Sequence, residues 1–133
     1  MTGTTSSGSR VQQSAAAVAV FFGLATLGAG GSVLAGRDAG YLVYRPLLIF
    51  NTVMGVGYLI TGIVAWRRAS SGRNAAAVIL ALNLLVLGRV AFLYRTSAVV
   101  ASDSIRAMIL RSAVWFALLL ALVWASRKSR DAA

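Results

Sequence analysis

Four apolar stretches, each of 19 to 22 residues, dominate the 133-residue chain and limit what it can fold into. At a rise of 1.5 Å per residue, a helix of about 20 residues matches a hydrocarbon core about 30 Å thick. Because the backbone groups within lipid must be satisfied inside the segment, each stretch is predicted to form a transmembrane helix. The predicted spans are residues 14–35, 47–66, 75–94 and 107–125.

The composition excludes the other main classes of protein. Hydrophobic residues make up 59% of the chain, charged residues make up only 12%, and the mean hydropathy is +0.79. A soluble domain usually carries about 25% charged residues, and a disordered chain combines low hydrophobicity with high net charge. The sequence therefore predicts an all-α fold, an integral membrane bundle of four transmembrane helices.

The first span has a second interpretation, a cleaved signal peptide. Arg10 precedes the span, and the residues Val33, Leu34 and Ala35 at its end resemble a cleavage site. The apolar core of a signal peptide is usually about 7–15 residues long, however, and this span is longer. A retained first helix is the favoured interpretation.

The domain organisation follows from the spans and the segments between them. We predict a flexible N-terminal tail at 1–13, a single four-helix transmembrane domain at 14–126 and a basic C-terminal tail at 127–133. Glycine, serine and charged residues mark the three expected links, which lie at residues 36–40, 67–74 and 96–105.

Basic residues near the span ends predict the orientation, since cytoplasmic loops carry an excess of lysine and arginine. We expect a multi-pass protein of the cell membrane with both termini cytoplasmic. The abundance of arginine, alanine and glycine is compatible with a bacterial inner membrane protein. The cytoplasmic side would then hold Arg10, Arg67, Arg68, Arg73, Arg127, Lys128 and Arg130, and the opposite side Arg37, Arg45, Arg95 and Arg106.

The residue types that the chain lacks limit its chemistry. It contains no cysteine, no histidine and no glutamate, so thiolate metal sites, histidine ligands and the usual general base are missing. Its three aspartates, Asp38, Asp103 and Asp131, fall in predicted links or the tail. Proton-coupled antiport by a carboxylate within a span is therefore not expected. We predict no catalytic residue, no metal site, no cofactor and no enzyme activity.

The second span carries small and polar residues on one face. Asn51, Gly55, Tyr58 and Gly62 follow one another at helical spacing, and Asn83 on the third span is the expected partner of Asn51. These amide and hydroxyl groups form either an interhelical hydrogen bond or a polar lining, made of Asn51, Tyr58 and Asn83, for a small ligand. Gly55 and Gly62, together with Gly23 on the first span, are predicted to mediate close helix packing.

Two arginines lie within predicted spans, where a charge is costly. Arg89 is about five residues before the end of the third span, and Arg111 is about five residues after the start of the fourth. Each arginine could extend to the headgroups by itself. Because their depths match, we also consider one shared anionic partner, with Asp103 and Asp38 as candidate carboxylates. A site of this kind would bind an anion or a partner chain through Arg89, Arg111 and Asp103.

The net charge of +10 suggests lipid contacts rather than nucleic-acid binding, because the charges are divided between two membrane faces. The expected partners are membrane lipids, with anionic headgroups at the basic tail, and other subunits packed against small-residue helix faces. The sequence favours a small non-enzymatic multi-pass membrane protein, an accessory or structural subunit. The alternative is a transporter or channel component for a small anionic or neutral solute that uses intramembrane arginine, asparagine and tyrosine.

Overall fold

The computed structural model describes residues 7–40, 43–97 and 99–131, and these residues form four helices. Each helix is long and apolar enough to cross a membrane, and the described residues contain no strand. The predicted all-α bundle of four membrane-spanning helices is thereby confirmed. The helices are α1 (Ser7–Leu34), α2 (Arg45–Arg67), α3 (Ala69–Thr96) and α4 (Ser102–Asp131).

The helices pack in the order of the sequence. Substantial contacts join α1 to α2, α2 to α3, α3 to α4, and α4 back to α1. Short links between helices favour antiparallel neighbours. We call the end that carries the start of α1, the α2–α3 junction at Arg68 and the end of α4 the turn end. The opposite end, with the links at residues 35–44 and 97–101, is the loop end.

The helices at the two ends of the chain extend beyond the predicted spans. Residues 7–13, expected in a flexible tail, belong to α1, whereas residues 1–6 lie outside the described residues. The basic tail is likewise helical as far as Asp131, and residues 132–133 lie outside the described part. Hydropathy marks the apolar part of a helix, whereas its ends depend on local contacts. One such contact joins Nε2 of Gln12 to the carbonyl oxygen of Ala65 at 2.7 Å.

The link expected at 67–74 is reduced to a single residue. Arg68 has an extended backbone (φ −151°, ψ 116°), with α2 ending before it and α3 beginning after it. The Gly72 N–H donates to the Arg68 carbonyl at 3.0 Å and so belongs to the first turn of α3. A Cβ atom at Gly72 would collide with Ala65. Gly72 therefore does not mark a loop, because it lets the start of α3 pack directly against the end of α2.

Glycines bring α1 and α2 into close contact. A Cβ atom added at Gly23 would lie 2.9 Å from the Gly55 carbonyl oxygen, and one at Gly55 would lie 2.9 Å from Cγ of Leu27. A Cβ atom at Gly62 would lie 2.9 Å from the Val20 nitrogen. The three glycines singled out in the sequence thus lie at one interface within the bundle, where only a missing side chain permits this separation.

The outer surface of the bundle is apolar, as a surface in contact with lipid should be. Phe21 is 73% exposed and Leu85 is 72% exposed. Large apolar side chains are exposed on all four helices, among them Val53, Ile60, Phe92, Leu110 and Phe116. An apolar surface of this extent is incompatible with a soluble monomer. The chain is therefore described as a multi-pass membrane protein.

Candidate functional site

A cavity of about 130 Å³ with both polar and apolar lining residues lies near the loop end, and we call it the loop-end cavity. Three helices contribute its walls: the second half of α1, the first half of α2 with the residues before it, and the first three turns of α4. A volume of this size admits several water molecules or one small anion. The lining residues are Thr26, Ala29, Gly30, Val33, Val43, Tyr44, Leu47, Leu48, Asn51, Ser104, Ala107 and Arg111.

Arg111 supplies the charge of this cavity. It is half-buried, and it lies nine residues after the start of α4, about 14 Å along the helix axis. No carboxylate occurs among the described residues that line the cavity. The site therefore combines a guanidinium group with amide and hydroxyl groups, a set that suits an anion.

The aspartates expected near Arg111 lie elsewhere. Asp103 is exposed and contacts Arg106 at 4.0 Å, one turn further along α4. Asp38 is exposed in the α1–α2 link, where its Oδ1 accepts a hydrogen bond from the Gly40 N–H at 2.9 Å. Neither carboxylate lines the cavity. Arg111 is therefore the charged residue of a cavity wall to which neither aspartate contributes.

Asn51 joins Arg111 in the cavity wall. It lies six residues after the start of α2 and is half-buried. Its Oδ1 atom is buried and has no hydrogen-bond partner among the described residues. The expected hydrogen bond between Asn51 and Asn83 does not occur among the described residues, where Oδ1 of Asn83 accepts a hydrogen bond from Tyr58 and Nδ2 of Asn83 has no partner.

A buried polar and aromatic layer lies further into the bundle, one to two helical turns from the cavity residues. The Tyr58 hydroxyl donates to Oδ1 of Asn83 at 3.3 Å, and the ring centroids of Tyr58 and Trp115 are 4.8 Å apart. All three side chains are 0% exposed. We call Tyr58, Asn83 and Trp115 the central layer. These residues are not among those that line the loop-end cavity.

The central layer holds polar atoms that the protein itself does not satisfy. Nδ2 of Asn83 and Nε1 of Trp115 are buried without a hydrogen-bond partner in the described structure, as is Oγ of the neighbouring Ser112. Buried polar atoms are nearly always paired, so a group of unpaired ones marks a place where water or a ligand is accommodated. Polar groups thus continue from the cavity to the middle of the bundle.

Arg89 does not belong to the loop-end cavity. Its side chain is exposed and is not part of the lining, whereas Arg111 is half-buried in the wall. The structure therefore brings Asn51 and Arg111 to one site, pairs Tyr58 with Asn83 in the central layer, and leaves Arg89 on the surface. A single anion shared by Arg89 and Arg111 stays a prediction.

Some lining residues were not among the sequence candidates for a polar site. Ser104 was placed in the link before the fourth span, yet it is a buried residue of α4. Thr26 of α1 also lies in the cavity wall, where it is 5% exposed. A serine in a polar segment carries no signal of burial, because burial depends on where the helix begins.

The chain matches no family model. Comparisons with curated proteins and with solved structures give no match either. The chemistry of the site is therefore argued from its own residues.

Proposed function

We propose that this multi-pass membrane protein binds a small anion in the loop-end cavity and serves as a transporter or channel component for anionic solutes. The observation that carries the proposal is the half-buried Arg111 in a cavity whose described lining contains no carboxylate. The proposed role is non-enzymatic, since binding an anion needs no nucleophile and no acid–base pair.

The cost of placing a charge within a membrane supports an anionic ligand. A guanidinium group inside a span costs about 2.5–3.5 kcal/mol on insertion scales unless a partner or water compensates it. An anion with two acceptor oxygens can accept parallel hydrogen bonds from arginine, and such bonds are roughly twice as strong as neutral ones. Asn51, Ser104 and Tyr44 add neutral polar groups around the same space. The cavity therefore favours a compact anion over a cation or an apolar molecule.

A second cavity supports entry from the loop end. It has a volume of about 340 Å³, shares Val33, Val43 and Leu48 with the loop-end cavity, and has Arg45 in its wall. Arg45, which is exposed, and Arg111, which is half-buried, thus lie in succession from the surface into the bundle. A cleft lined by one sign of charge raises the local concentration of the opposite ion.

The experiment that tests the proposal compares Arg111→Gln with Arg89→Gln. Both changes remove one intramembrane arginine, but only Arg111 lines the cavity. Purified protein is titrated with sodium chloride, nitrate, acetate and phosphate at constant ionic strength, and the melting temperature is followed. We expect one or more anions to raise the melting temperature of the wild type, and Arg111→Gln to weaken that binding about tenfold or more.

Arg89→Gln should leave anion binding within about twofold of the wild type, since a surface charge contributes little. An equal loss in both variants would instead indicate the shared anion of Arg89 and Arg111. Absence of any anion-dependent stabilisation in the wild type would overturn the proposal. Anion flux into proteoliposomes, compared between the wild type and Arg111→Gln, then separates transport from binding.

An accessory subunit is the second candidate function. Gly28 and Gly31 on α1 have open space where a Cβ atom would lie, in contrast to Gly23 on the same helix. Small residues on an uncovered face permit close approach of another transmembrane helix. Replacing Gly28 with leucine should then change the oligomeric state or the set of co-purifying membrane proteins. An unchanged state and an unchanged set would argue against this role.

A further inference from the structure

Another polar cavity, of about 210 Å³, lies at the opposite end of the bundle, the turn end, and we call it the turn-end cavity. It lies where the end of α4 meets the α2–α3 junction and the start of α1. Its described lining contains three arginines, three serines and a glutamine, and no carboxylate. The lining residues are Gln12, Arg67, Arg68, Ala69, Ser70, Ser126, Ser129 and Arg130.

The side chains of the three arginines have no partner among the described residues. Arg67, Arg68 and Arg130 are exposed, and their guanidinium groups form neither a hydrogen bond nor an ion pair with the described residues. Arg73 differs from them, since its Nε donates to Oδ1 of Asn74 and its Nη1 donates to Oγ of Ser126, both at 3.3 Å. Three guanidinium groups around one cavity repel one another unless an anion lies between them.

The neutral groups of the cavity also suit an anion. Hydroxyl groups of Ser70 and Ser129 lie in its wall. Ser70 belongs to the first turn of α3, where no side chain caps the free backbone N–H groups and no acidic residue is present. The start of a helix carries a partial positive charge and favours phosphate, so it adds to the attraction of the arginines.

We propose that the turn-end cavity binds a phosphate group. Arginine recognises phosphate through two parallel N–H···O bonds, and three arginines can surround its oxygens. The phosphate belongs either to the headgroup of an anionic phospholipid or to a free phosphate compound, and the chemistry of recognition is the same. This site is separate from the loop-end cavity and shares no lining residue with it.

Binding at this place joins elements that are distant in sequence. Arg67 and Arg68 belong to the α2–α3 junction, and Arg130 belongs to the last turn of α4. A phosphate held by all three therefore fixes the end of α4 to the junction. The ligand should stabilise the folded bundle, because it binds only where these segments lie together.

The test uses inorganic phosphate and the full chain in a non-ionic detergent. Arg130→Gln is compared with Arg127→Gln, a matched change on the same helix that does not line the cavity. Phosphate should raise the melting temperature of the wild type more than chloride does at equal ionic strength. We expect Arg130→Gln, and likewise Arg68→Gln, to weaken phosphate binding about tenfold, while Arg127→Gln stays within about twofold of the wild type.

Equal weakening by Arg127→Gln and Arg130→Gln would overturn the proposal, since it would indicate general surface charge rather than a site. No difference between phosphate and chloride in the wild type would overturn it as well. Arg130→Lys keeps the charge but loses the planar fork, so it should recover only part of the affinity.

A second arm identifies the source of the phosphate. The wild type, Arg130→Gln and Arg127→Gln are placed in nanodiscs of phosphatidylcholine with or without phosphatidylglycerol. Bound lipid is then counted by native mass spectrometry. If the wild type and Arg127→Gln retain bound phosphatidylglycerol and Arg130→Gln does not, the site is assigned to lipid headgroups. Saturable binding of inorganic phosphate that phosphatidylglycerol does not reduce assigns it to a free phosphate compound. If neither ligand distinguishes the two variants, the cavity is not a phosphate site.

Discussion

At the centre of the bundle, the Tyr58 hydroxyl and Oδ1 of Asn83 form a hydrogen bond of 3.3 Å between α2 and α3. Neither side chain has any exposed surface. A polar group buried without a partner costs about 1–3 kcal/mol, so each residue depends on the other. The same reasoning makes Nδ2 of Asn83 and Nε1 of Trp115 notable, because the described chain leaves both atoms without a partner.

Replacing Tyr58 with phenylalanine should lower the free energy of unfolding by about 1–2 kcal/mol, because Oδ1 of Asn83 would then be buried without its donor. The change is measured as a shift of the denaturation midpoint in detergent. Tyr94→Phe is the control, since Tyr94 is 48% exposed near the end of α3. The double variant Tyr58→Phe/Asn83→Leu should lose less than the sum of the single losses. Additive losses would show that the two residues do not act as a pair.

At the scale of helices, three glycines bring α1 and α2 into close contact. Gly23, Gly55 and Gly62 all have backbone or side-chain atoms of the facing helix within 3 Å of an added Cβ position. Gly28 has none within 4 Å. Gly23 and Gly28 of α1 therefore differ in their surroundings. Gly23 faces α2 and is required for the α1–α2 contact, whereas Gly28 is not.

Gly62→Leu and Gly55→Leu should each destabilise the protein by about 1–3 kcal/mol, because a larger side chain would force α1 and α2 apart. The melting temperature in detergent checks this expectation, with Gly28→Leu as the matched control that should leave it nearly unchanged. A lower melting temperature for Gly28→Leu alone would contradict the packing described above.

The sequence predicted the four helices well because length and hydropathy depend on the lipid rather than on neighbouring helices. It predicted their ends less well. Residues 69–74 resemble a loop in composition, yet they form the first turns of α3, because Gly72 packs on Ala65. Arg89 and Arg111 could not be distinguished either, since they have the same chemistry and similar depth. Only the packing of the helices places Arg111 in a cavity wall and leaves Arg89 exposed.

At the scale of the whole molecule, the four helices place the start of α1 and the end of α4 together at the turn end. A Cβ atom at Gly8 would lie 3.3 Å from Cβ of Lys128. Both the α2–α3 junction and most basic residues lie at the same end. The orientation in which this basic end faces the cytoplasm stays a prediction.

The orientation is checked with reporter fusions at Arg68 and at residue 133. Both fusions should report the cytoplasmic side, because an even number of spans separates them and arginine-rich segments are retained there. Opposite reports from the two positions would contradict the arrangement of the helices. External reports from both would reverse the orientation while leaving the bundle intact.

The contact between α1 and α4 is checked with the double variant Gly8→Cys/Lys128→Cys. A Cβ separation close to 3.5 Å lies within reach of a disulfide, and the chain has no other cysteine that could compete. Mild oxidation should give one intramolecular bridge, seen as a faster band on a non-reducing gel. Gly28→Cys/Lys128→Cys is the control and should give none, because Gly28 lies near the loop end. Failure of the first pair to cross-link would place α1 and α4 apart.

The one-residue junction at Arg68 has a mechanical consequence. With a single extended residue between them, α2 and α3 form a hairpin and are held close together at the turn end. α1 and α4 are each tied to this hairpin only by a longer link at the loop end, and no link joins them to each other. We therefore expect the bundle to open along the seam between α1 and α4, where two walls of the loop-end cavity meet. An opening along this seam would face the lipid. A solute would then reach the loop-end cavity from the plane of the membrane as well as from the aqueous phase.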